Sequence, residues 1–167
     1  MAFPPMATDS NARNWWTFAT NGISERRFPC VEEPHGKPAH RLELIAYANA
    51  AADWIPGLLV ELGRYAFEHR SGLAVGHTIP VIPKPGNMWS GYLLIRPRLE
   101  PDEFNPLGID IGIGDDWVFL AEIVGLKDDE LRLAINVGGP EFAKSVLAGR
   151  AAALAIDVDR ASLLADA

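Results

Sequence analysis

The chain is organised around the stretch Ser71-Gly72-Leu73-Ala74-Val75-Gly76-His77-Thr78-Ile79-Pro80-Val81. It follows the longest helical pattern in the chain and leads through a Pro- and Gly-rich connection into an apolar strand. The glycines at 72 and 76 allow the positive φ angles or close backbone approach needed where a helix ends and the chain bends. Pro80 has no N–H to give a neighbouring strand, and it holds the preceding residue extended. We therefore predict an extended segment that is not an ordinary interior strand, with the polar pair His77-Thr78 at its centre.

The composition predicts a globular protein with one domain. The 167 residues are 49% hydrophobic and 22% charged, which is ordinary for a chain that buries a core. The net charge of −7 and the pI of about 5.0 disfavour direct binding to nucleic acid. The same charge favours a basic partner, although an acidic balance also simply confers solubility.

The sequence carries no sign of export or of membrane insertion. Cys30 is the only cysteine, which excludes an intramolecular disulfide and favours a reducing compartment. The first seven residues have neither a basic leader nor an apolar run of signal-peptide length. No stretch approaches the roughly 18 uninterrupted apolar residues of a membrane span. We expect a cytoplasmic protein that neither enters a membrane nor binds nucleic acid.

The first half of the chain predicts two strands and one long helix. Residues 1–13 are expected to form a flexible arm, and residues 14–167 the domain. Residues 15–20 are aromatic and β-branched and end at a turn, which predicts a first strand. Residues 41–47 alternate between two faces and predict a second strand. The side chains expected to face the core are Leu42, Leu44 and Ala46, and those expected to face away are Glu43, Ile45 and Tyr47. From Asp53, which can cap the helix, apolar residues recur at helical spacing as far as a stop near Arg70.

The second half predicts a sheet covered by helices. Residues 92–96 indicate a buried strand, residues 99–114 a polar connection, and residues 117–124 a strand at the centre of a sheet. A helix begins at the acidic run 128–130, and Gly138-Gly139-Pro140 separates it from another. The fold class is therefore α/β or α+β: a single domain with a mixed sheet flanked by helices.

A search for catalytic residues leaves one weak candidate. His77 is the best general base, with Asp53, Asp110, Asp115 and Asp116 as the carboxylates that could orient it. No Gly-x-Ser-x-Gly nucleophile motif occurs in the sequence. A histidine beside a threonine in a Gly- and Pro-shaped turn more often holds that turn than catalyses a reaction.

Metal and nucleotide sites are also disfavoured. A metal site needs His, Cys or carboxylate ligands at a regular spacing. His35 and His40 lie five residues apart in a Pro-rich connection, and the predicted helix stop separates His69 from His77. Cys30 has no second cysteine to act with it as a ligand. The glycines between 108 and 114 are followed by acids that would repel phosphate, so a hairpin or loop is the better interpretation. We predict no cofactor and no metal.

Three segments together resemble the suppressor of fused domain family. The first is Trp16-Thr17-Phe18-Ala19-Thr20-Asn21-Gly22-Ile23-Ser24, and the second runs from Arg41 through Tyr47 to Asp53-Trp54 and the helix that follows. The most specific is Gly76-His77-Thr78-Ile79-Pro80, followed by the aliphatic strand at 92–95. The strand, loop and helix from Glu122 through Glu130 to Gly139 are also similar to the family. The resemblance covers residues 15–147.

The resemblance implies a mixed sheet flanked by helices and no known catalytic activity. Animal members bind a transcription factor with this domain and a second, carboxy-terminal one, so their signalling role is not carried over to one domain. Stand-alone domains of this kind are characteristic of bacteria, where many are predicted immunity proteins of toxin systems. We therefore predict a non-enzymatic protein-binding domain, with a basic toxin domain as one partner, and assign binding to His77, Thr78, Pro80 and Trp89. The alternative is a small hydrolase-like enzyme with His77 as base, and the oligomeric state stays open.

Overall fold

Helices cover both faces of one mixed β-sheet in a computed structural model of the chain. The structure describes residues 1–3, 15–27, 41–69, 72–81, 88–97, 110–113, 116–148, 156–157 and 159–165. Within these ranges the strands are β1 (Ala2–Phe3), β2 (Trp16–Ala19), β3 (Arg41–Ala48), β4 (Thr78–Pro80), β5 (Gly91–Ile95), β6 (Asp110–Ile113) and β7 (Asp116–Leu126). The helices are α1 (Trp54–Glu68), α2 (Asp128–Val137) and α3 (Gly139–Phe142), with a 3₁₀ turn at Ile23–Glu25 and a π-helical turn at Ala143–Leu147.

The long strand β7 lies at the centre of the sheet. The strand order is β1-β2-β3-β7-β5-β4, and β6 also pairs with β7. β3 runs parallel to β7, whereas the other neighbouring strands are antiparallel. Along one side of β7, β6 pairs with the first residues and β5 with the last, so β7 joins every part of the sheet. This confirms the prediction of a central strand at 117–124.

Two hydrophobic clusters lie on opposite faces of the sheet. Alternate residues of β3 pack with Ile55, Leu59, Leu62 and Ala66 of α1 in the first cluster. The second joins β5 and β7 to Leu131 and Ala134 of α2 and to Phe142 and Leu147. Because both faces are covered, β3 is buried on both sides, with Ile45 and Tyr47 at 6% and 0% exposure. The prediction that only one face of this strand enters the core was wrong for that reason.

The long helix follows its predicted pattern but does not have the predicted cap. α1 begins at Trp54, so Pro56 falls in the first turn, where its missing N–H costs no helical hydrogen bond. Asp53 precedes the helix with φ −65° and ψ −18°, and its side chain makes no capping hydrogen bond. An N-cap residue needs a non-helical backbone to aim its side chain at the free N–H groups, and Asp53 does not have one.

Strand pairing at residues 110–113 and 2–3 alters two predictions made from the sequence. Asp110–Ile113 forms β6 and pairs with the start of β7, with Gly112 opposite Trp117, so the polar connection predicted over 99–114 ends in a strand. This pairing agrees with the hairpin interpretation of the glycines in that stretch. Ala2–Phe3 pairs with β2, so the flexible arm predicted for 1–13 does not begin at the first residues. Residues 4–13 lie outside the described ranges, and the domain boundary at 14 stays a prediction.

Candidate functional site

The stretch around His77 forms a bulged strand at the edge of the sheet. Gly76 has a φ of +93°, and the His77 N–H donates to the Ala74 carbonyl over 3.1 Å, which closes a tight turn. The Gly76 N–H then donates to the Leu94 carbonyl over 2.7 Å, while the Leu94 N–H donates to the His77 carbonyl over 3.0 Å. Two residues of this segment therefore oppose one residue of β5, which is a glycine-type β-bulge. The prediction of an extended segment outside the sheet interior is confirmed.

The bulge explains why a proline is tolerated in β4. Thr78 lies opposite Leu93 and Pro80 opposite Gly91, whereas the Val81 N–H donates to the Ser90 carbonyl over 3.0 Å. In an antiparallel ladder hydrogen-bonded pairs alternate with non-bonded pairs, so the backbone groups of Thr78 and Pro80 point away from β5. The N–H that Pro80 lacks would have faced the open edge. This edge thus offers one N–H, from Thr78, and two carbonyls.

A small cleft lies beside this edge. Its volume is about 350 Å³, and it is lined by Tyr65, Gly72, Leu73, Gly76, His77, Thr78 and Ile79. His77 and Pro80 are exposed, and Thr78 is half-buried. The Tyr65 ring contacts the His69 ring in a tilted arrangement, with 4.4 Å between ring centroids and 39° between the ring planes. Three of the four residues assigned to binding therefore lie together at one accessible edge.

Trp89, the fourth assigned residue, does not reach that surface. Its side chain is 3% exposed, and a Cβ atom added at Gly125 would overlap its ring. The Lys127 ammonium lies 4.7 Å and the Arg160 guanidinium 4.9 Å from the ring centroid. The glycine and the two cations thus bury a tryptophan that the sequence suggested as a contact residue.

Three of the four acidic residues suggested as partners of His77 have a backbone position far from it. Asp53 precedes α1 by one residue, whereas the cleft contacts Tyr65, which is about 18 Å further along the helix. Thr78 lies opposite Leu93 of β5, and Leu93 lies opposite Val124 of β7, so Val124 marks the level of the cleft along the sheet. Asp116, at the start of β7, is roughly 26 Å from Val124 along the strand. Asp110 pairs opposite Phe119, still about 16 Å from Val124, and Asp115 lies outside the described ranges. In the described part of the chain, no carboxylate orients His77.

A second, larger cleft opens between β2 and α1. Its volume is about 800 Å³, with Phe18, Leu59 and Phe67 among its walls and Arg26 and Arg64 beside it. Two polar groups that line it, the Thr20 hydroxyl and the Gly22 N–H, already donate to Glu43. This cleft is therefore mainly an apolar surface.

Glu43 is a buried carboxylate held by neutral donors. It is 8% exposed and accepts from Thr20 Oγ1, from the Gly22 N–H at 2.9 Å, and from the Ser24 N–H and Oγ at 3.0 and 2.6 Å. Burial by itself would raise the pKa of Glu43, but the hydrogen bonds from Ser24, Thr20 and Gly22 outweigh it and lower that pKa. The carboxylate thereby fixes the turn after β2.

Glu130 is a buried carboxylate held by a charged donor. It is 0% exposed and forms a bidentate pair with Arg160, with Nη1–Oε1 and Nη2–Oε2 distances of 2.6 and 2.7 Å. Its oxygens also accept the Leu163 N–H at 2.6 Å and the Lys127 N–H at 2.8 Å. Burial would raise the pKa of Glu130, but Arg160 and the two backbone donors lower it. In the sequence, the only sign of this pair is an acidic residue in the first turn of a helix.

Two classes of site find no support in the described ranges. No group of three or more His, Cys, Asp or Glu side chains is arranged there to hold a metal ion. No helix seen in those ranges is long and apolar enough to cross a bilayer. Cys30, His35 and His40 lie outside them.

Comparison with known proteins identifies the family. The family model described as Suppressor of fused protein (SUFU) matches residues 3–161. The chain belongs to the suppressor of fused family. No curated protein matches it.

Solved structures of this family share the fold. The chain is 20% identical to a protein solved as the Sufu-Fu complex, with a TM-score of 0.68, covering 98% of this chain and 75% of the other. Drosophila Suppressor of Fused gives the same identity and TM-score, and the chain covers 42% of its length. A putative homologue from Neisseria gonorrhoeae FA 1090 is 14% identical, with a TM-score of 0.61 and coverage of 94% and 74%. At these identities the likeness shows the fold alone.

The suppressor of fused motifs now have structural roles. Residues 16–24 supply β2 and the donors that surround Glu43. Residues 76–80 form the bulge and β4, and Gly139 packs so closely on the Gly76 carbonyl that a Cβ there would overlap it. Glu130 is the acceptor for Arg160. The motif residues thus shape backbone and buried polar contacts, and we find no catalytic arrangement among them.

Proposed function

We propose that this chain is a non-enzymatic domain that binds an extended segment of a protein partner along β4. The observation that carries the proposal is the outward-facing N–H and carbonyl of Thr78 on the last strand of the described sheet. A peptide can add to such an edge through main-chain hydrogen bonds, and side-chain pockets then supply specificity. The cleft lined by Tyr65, His77 and Thr78 lies where a side chain of that peptide would enter.

The relatives support protein binding as the general activity. The crystal structure of the Sufu-Fu complex contains a family member together with a protein partner. In this chain His77 has no carboxylate beside it in the described ranges, so the geometry does not favour the hydrolase-like alternative. Its acidic charge of −7 favours a basic partner. Within this proposal, the partner is a toxin domain and the chain acts as its immunity protein in the cytoplasm.

The decisive experiment removes the open backbone donor. Thr78→Pro eliminates the only N–H that faces outward from β4, whereas Thr78→Val changes the side chain and keeps that N–H. One lost main-chain hydrogen bond should weaken a peptide complex about 3- to 10-fold. Partner capture with wild type and both variants, followed by hydrogen exchange on the complex, should show protection at residues 77–81 and weaker capture by Thr78→Pro alone.

The toxin reading has its own test. The product of a neighbouring reading frame is co-expressed with the wild-type chain, Thr78→Val or Thr78→Pro, and growth is measured. Weaker rescue by Thr78→Pro than by wild type and Thr78→Val is expected. Protection confined to another surface, or equal rescue by all three chains, would contradict binding at β4.

A further inference from the structure

The end of the chain fills a gap between two parallel strands. We call residues 156–157 and 159–165 the C-terminal strap. β3 and β7 pair only as far as Ile45 and Glu122, so their carboxyl ends separate beyond that point. The Ile156 N–H donates to the Tyr47 carbonyl on one side of the gap, and Arg160 Nη2 donates to the Gly125 carbonyl on the other over 2.6 Å. In open α/β sheets the crevice beyond the carboxyl ends of parallel strands is where ligands bind.

The strap is anchored in both layers of the molecule. Ile156 belongs to the hydrophobic cluster on the α1 side of the sheet, and Leu163 belongs to the cluster on the α2 side. Arg160 lies between these anchors along the chain, with its side chain 9% exposed. The strap therefore passes around the end of the sheet and places the Arg160 guanidinium in the gap between the carboxyl ends of β3 and β7, which we call the crevice.

The crevice is built to receive a guanidinium group. Glu130 supplies both carboxylate oxygens, Gly125 supplies a carbonyl oxygen at 2.6 Å, and the Trp89 ring centroid lies 4.9 Å from the guanidinium carbon. A planar fork of N–H donors is the group that matches a bidentate carboxylate and also stacks on an aromatic face.

The groups that contact the guanidinium belong to parts of the fold other than the strap. The Lys127 N–H donates to Glu130 Oε2 over 2.8 Å at the start of α2. Gly125 lies within β7, and Trp89 packs against that glycine. The groups that contact the guanidinium therefore belong to β7, to α2 and to the residue Trp89 before β5, whereas the strap supplies the occupant and one further donor to Glu130, the Leu163 N–H at 2.6 Å.

We propose that this crevice is a guanidinium-binding site that Arg160 occupies in cis and that an arginine of a protein partner occupies in trans, displacing the strap. The inference rests on the proposed protein-binding function, and the net charge of −7 favours an arginine-bearing partner. The crevice and β4 lie at the same end of the sheet, because Pro80 pairs opposite Gly91 and Gly91 opposite Leu126. An extended partner on β4 can thus continue toward Trp89.

The test measures binding of a probe peptide that copies residues 156–165, blocked at both ends. The hosts are the full-length wild-type chain and Arg160→Lys, whose lysine cannot make the bidentate contact. The probe should bind Arg160→Lys at least about tenfold more tightly than wild type, where the strap competes, and lysine in place of its arginine should remove that gain. Arg132→Lys is the control, because Arg132 and Asp128 form an exposed pair on α2, the helix that carries Glu130. This variant should bind the probe as wild type does.

Equal affinity of the arginine and lysine probes, or no binding to Arg160→Lys, would overturn the inference. If Arg160→Lys does not fold, Arg160→Ala is melted in millimolar methylguanidinium or methylammonium. Stabilisation by methylguanidinium alone supports the site, and equal effects of the two ions reject it. Adding Thr78→Pro to the host separates the two proposals: it should weaken partner capture at β4 and leave probe binding unchanged.

Discussion

Two buried carboxylates, Glu43 and Glu130, are stabilised in opposite ways. Glu43 accepts hydrogen bonds from hydroxyl and backbone N–H groups, all of them within residues 20–24. Glu130 accepts from two backbone N–H groups and forms a bidentate ion pair with Arg160, 30 residues away. Neutral dipoles from one turn therefore suffice for the first, whereas the second depends on a charge brought by the end of the chain. The difference separates a carboxylate that shapes a turn from one that ties the chain end to the sheet.

The largest effect is expected when the distant charge is removed. Arg160→Ala leaves Glu130 buried with no positive partner in the described structure, and should lower the free energy of unfolding by about 3–5 kcal/mol. Urea denaturation followed by tryptophan fluorescence measures this loss. Arg132→Ala is the control, because Arg132 and Asp128 form an exposed pair whose loss should cost less than about 0.5 kcal/mol. A loss below about 1 kcal/mol for Arg160→Ala would show that Glu130 does not need the charge.

A smaller effect is expected when the locally held carboxylate is neutralised. Glu43→Gln keeps one oxygen acceptor but turns an amide NH₂ toward the N–H and hydroxyl donors of residues 20–24, which should cost about 1–3 kcal/mol. The same denaturation experiment measures it, with exposed Glu68→Gln as the control. A loss as large as that of Arg160→Ala would remove the proposed distinction between neutral and charged stabilisation.

Acid should act on both carboxylates in the same direction. The pKa values of Glu43 and Glu130 are lowered from 4.5 in the folded chain. At a pH between these lowered pKa values and 4.5, the unfolded chain therefore binds more protons than the folded chain. Their stabilisation is complete above the ordinary value and is lost as the pH falls through the lower folded values. Unfolding free energies measured across this range should fall more steeply for wild type than for Glu43→Gln. Identical slopes would mean that the pKa of Glu43 is not lowered.

The sequence was sufficient for features that depend on neighbouring residues. The Gly76 to Pro80 stretch indicated an irregular edge segment because glycine and proline restrict the backbone directly, and β4 is such a segment. The apolar run at 117–124 indicated a central strand because it lacks a polar face, and β7 is central. The acidic start of α2 was also expected, and Glu130 does accept the Lys127 N–H in the first turn.

What the sequence could not supply were contacts between distant segments. Glu43 looked like the outward side of an alternating strand, because its donors lie 19 to 23 residues earlier. Trp89 looked available for binding, because no residue close to it in the sequence indicates that Lys127 and Arg160 cover its ring. In both cases the deciding partner comes from another element of the fold, and no local pattern encodes it.

The smallest effect is expected at the edge of the strap. Ser162 Oγ donates to exposed Asp129 over 2.5 Å and, as the leading cause, lowers the pKa of that carboxyl. Ser162→Ala should therefore raise the pKa of Asp129 toward its ordinary 3.8 in an NMR titration, and cost only about 0.5–1 kcal/mol because water replaces the hydroxyl. Ser145→Ala, which removes an exposed hydroxyl bonded to the Glu141 carbonyl, should leave Asp129 unchanged. If Ser162→Ala instead matched Arg160→Ala in cost, the strap would be held by its exposed contact, and the buried arginine would not be its main attachment.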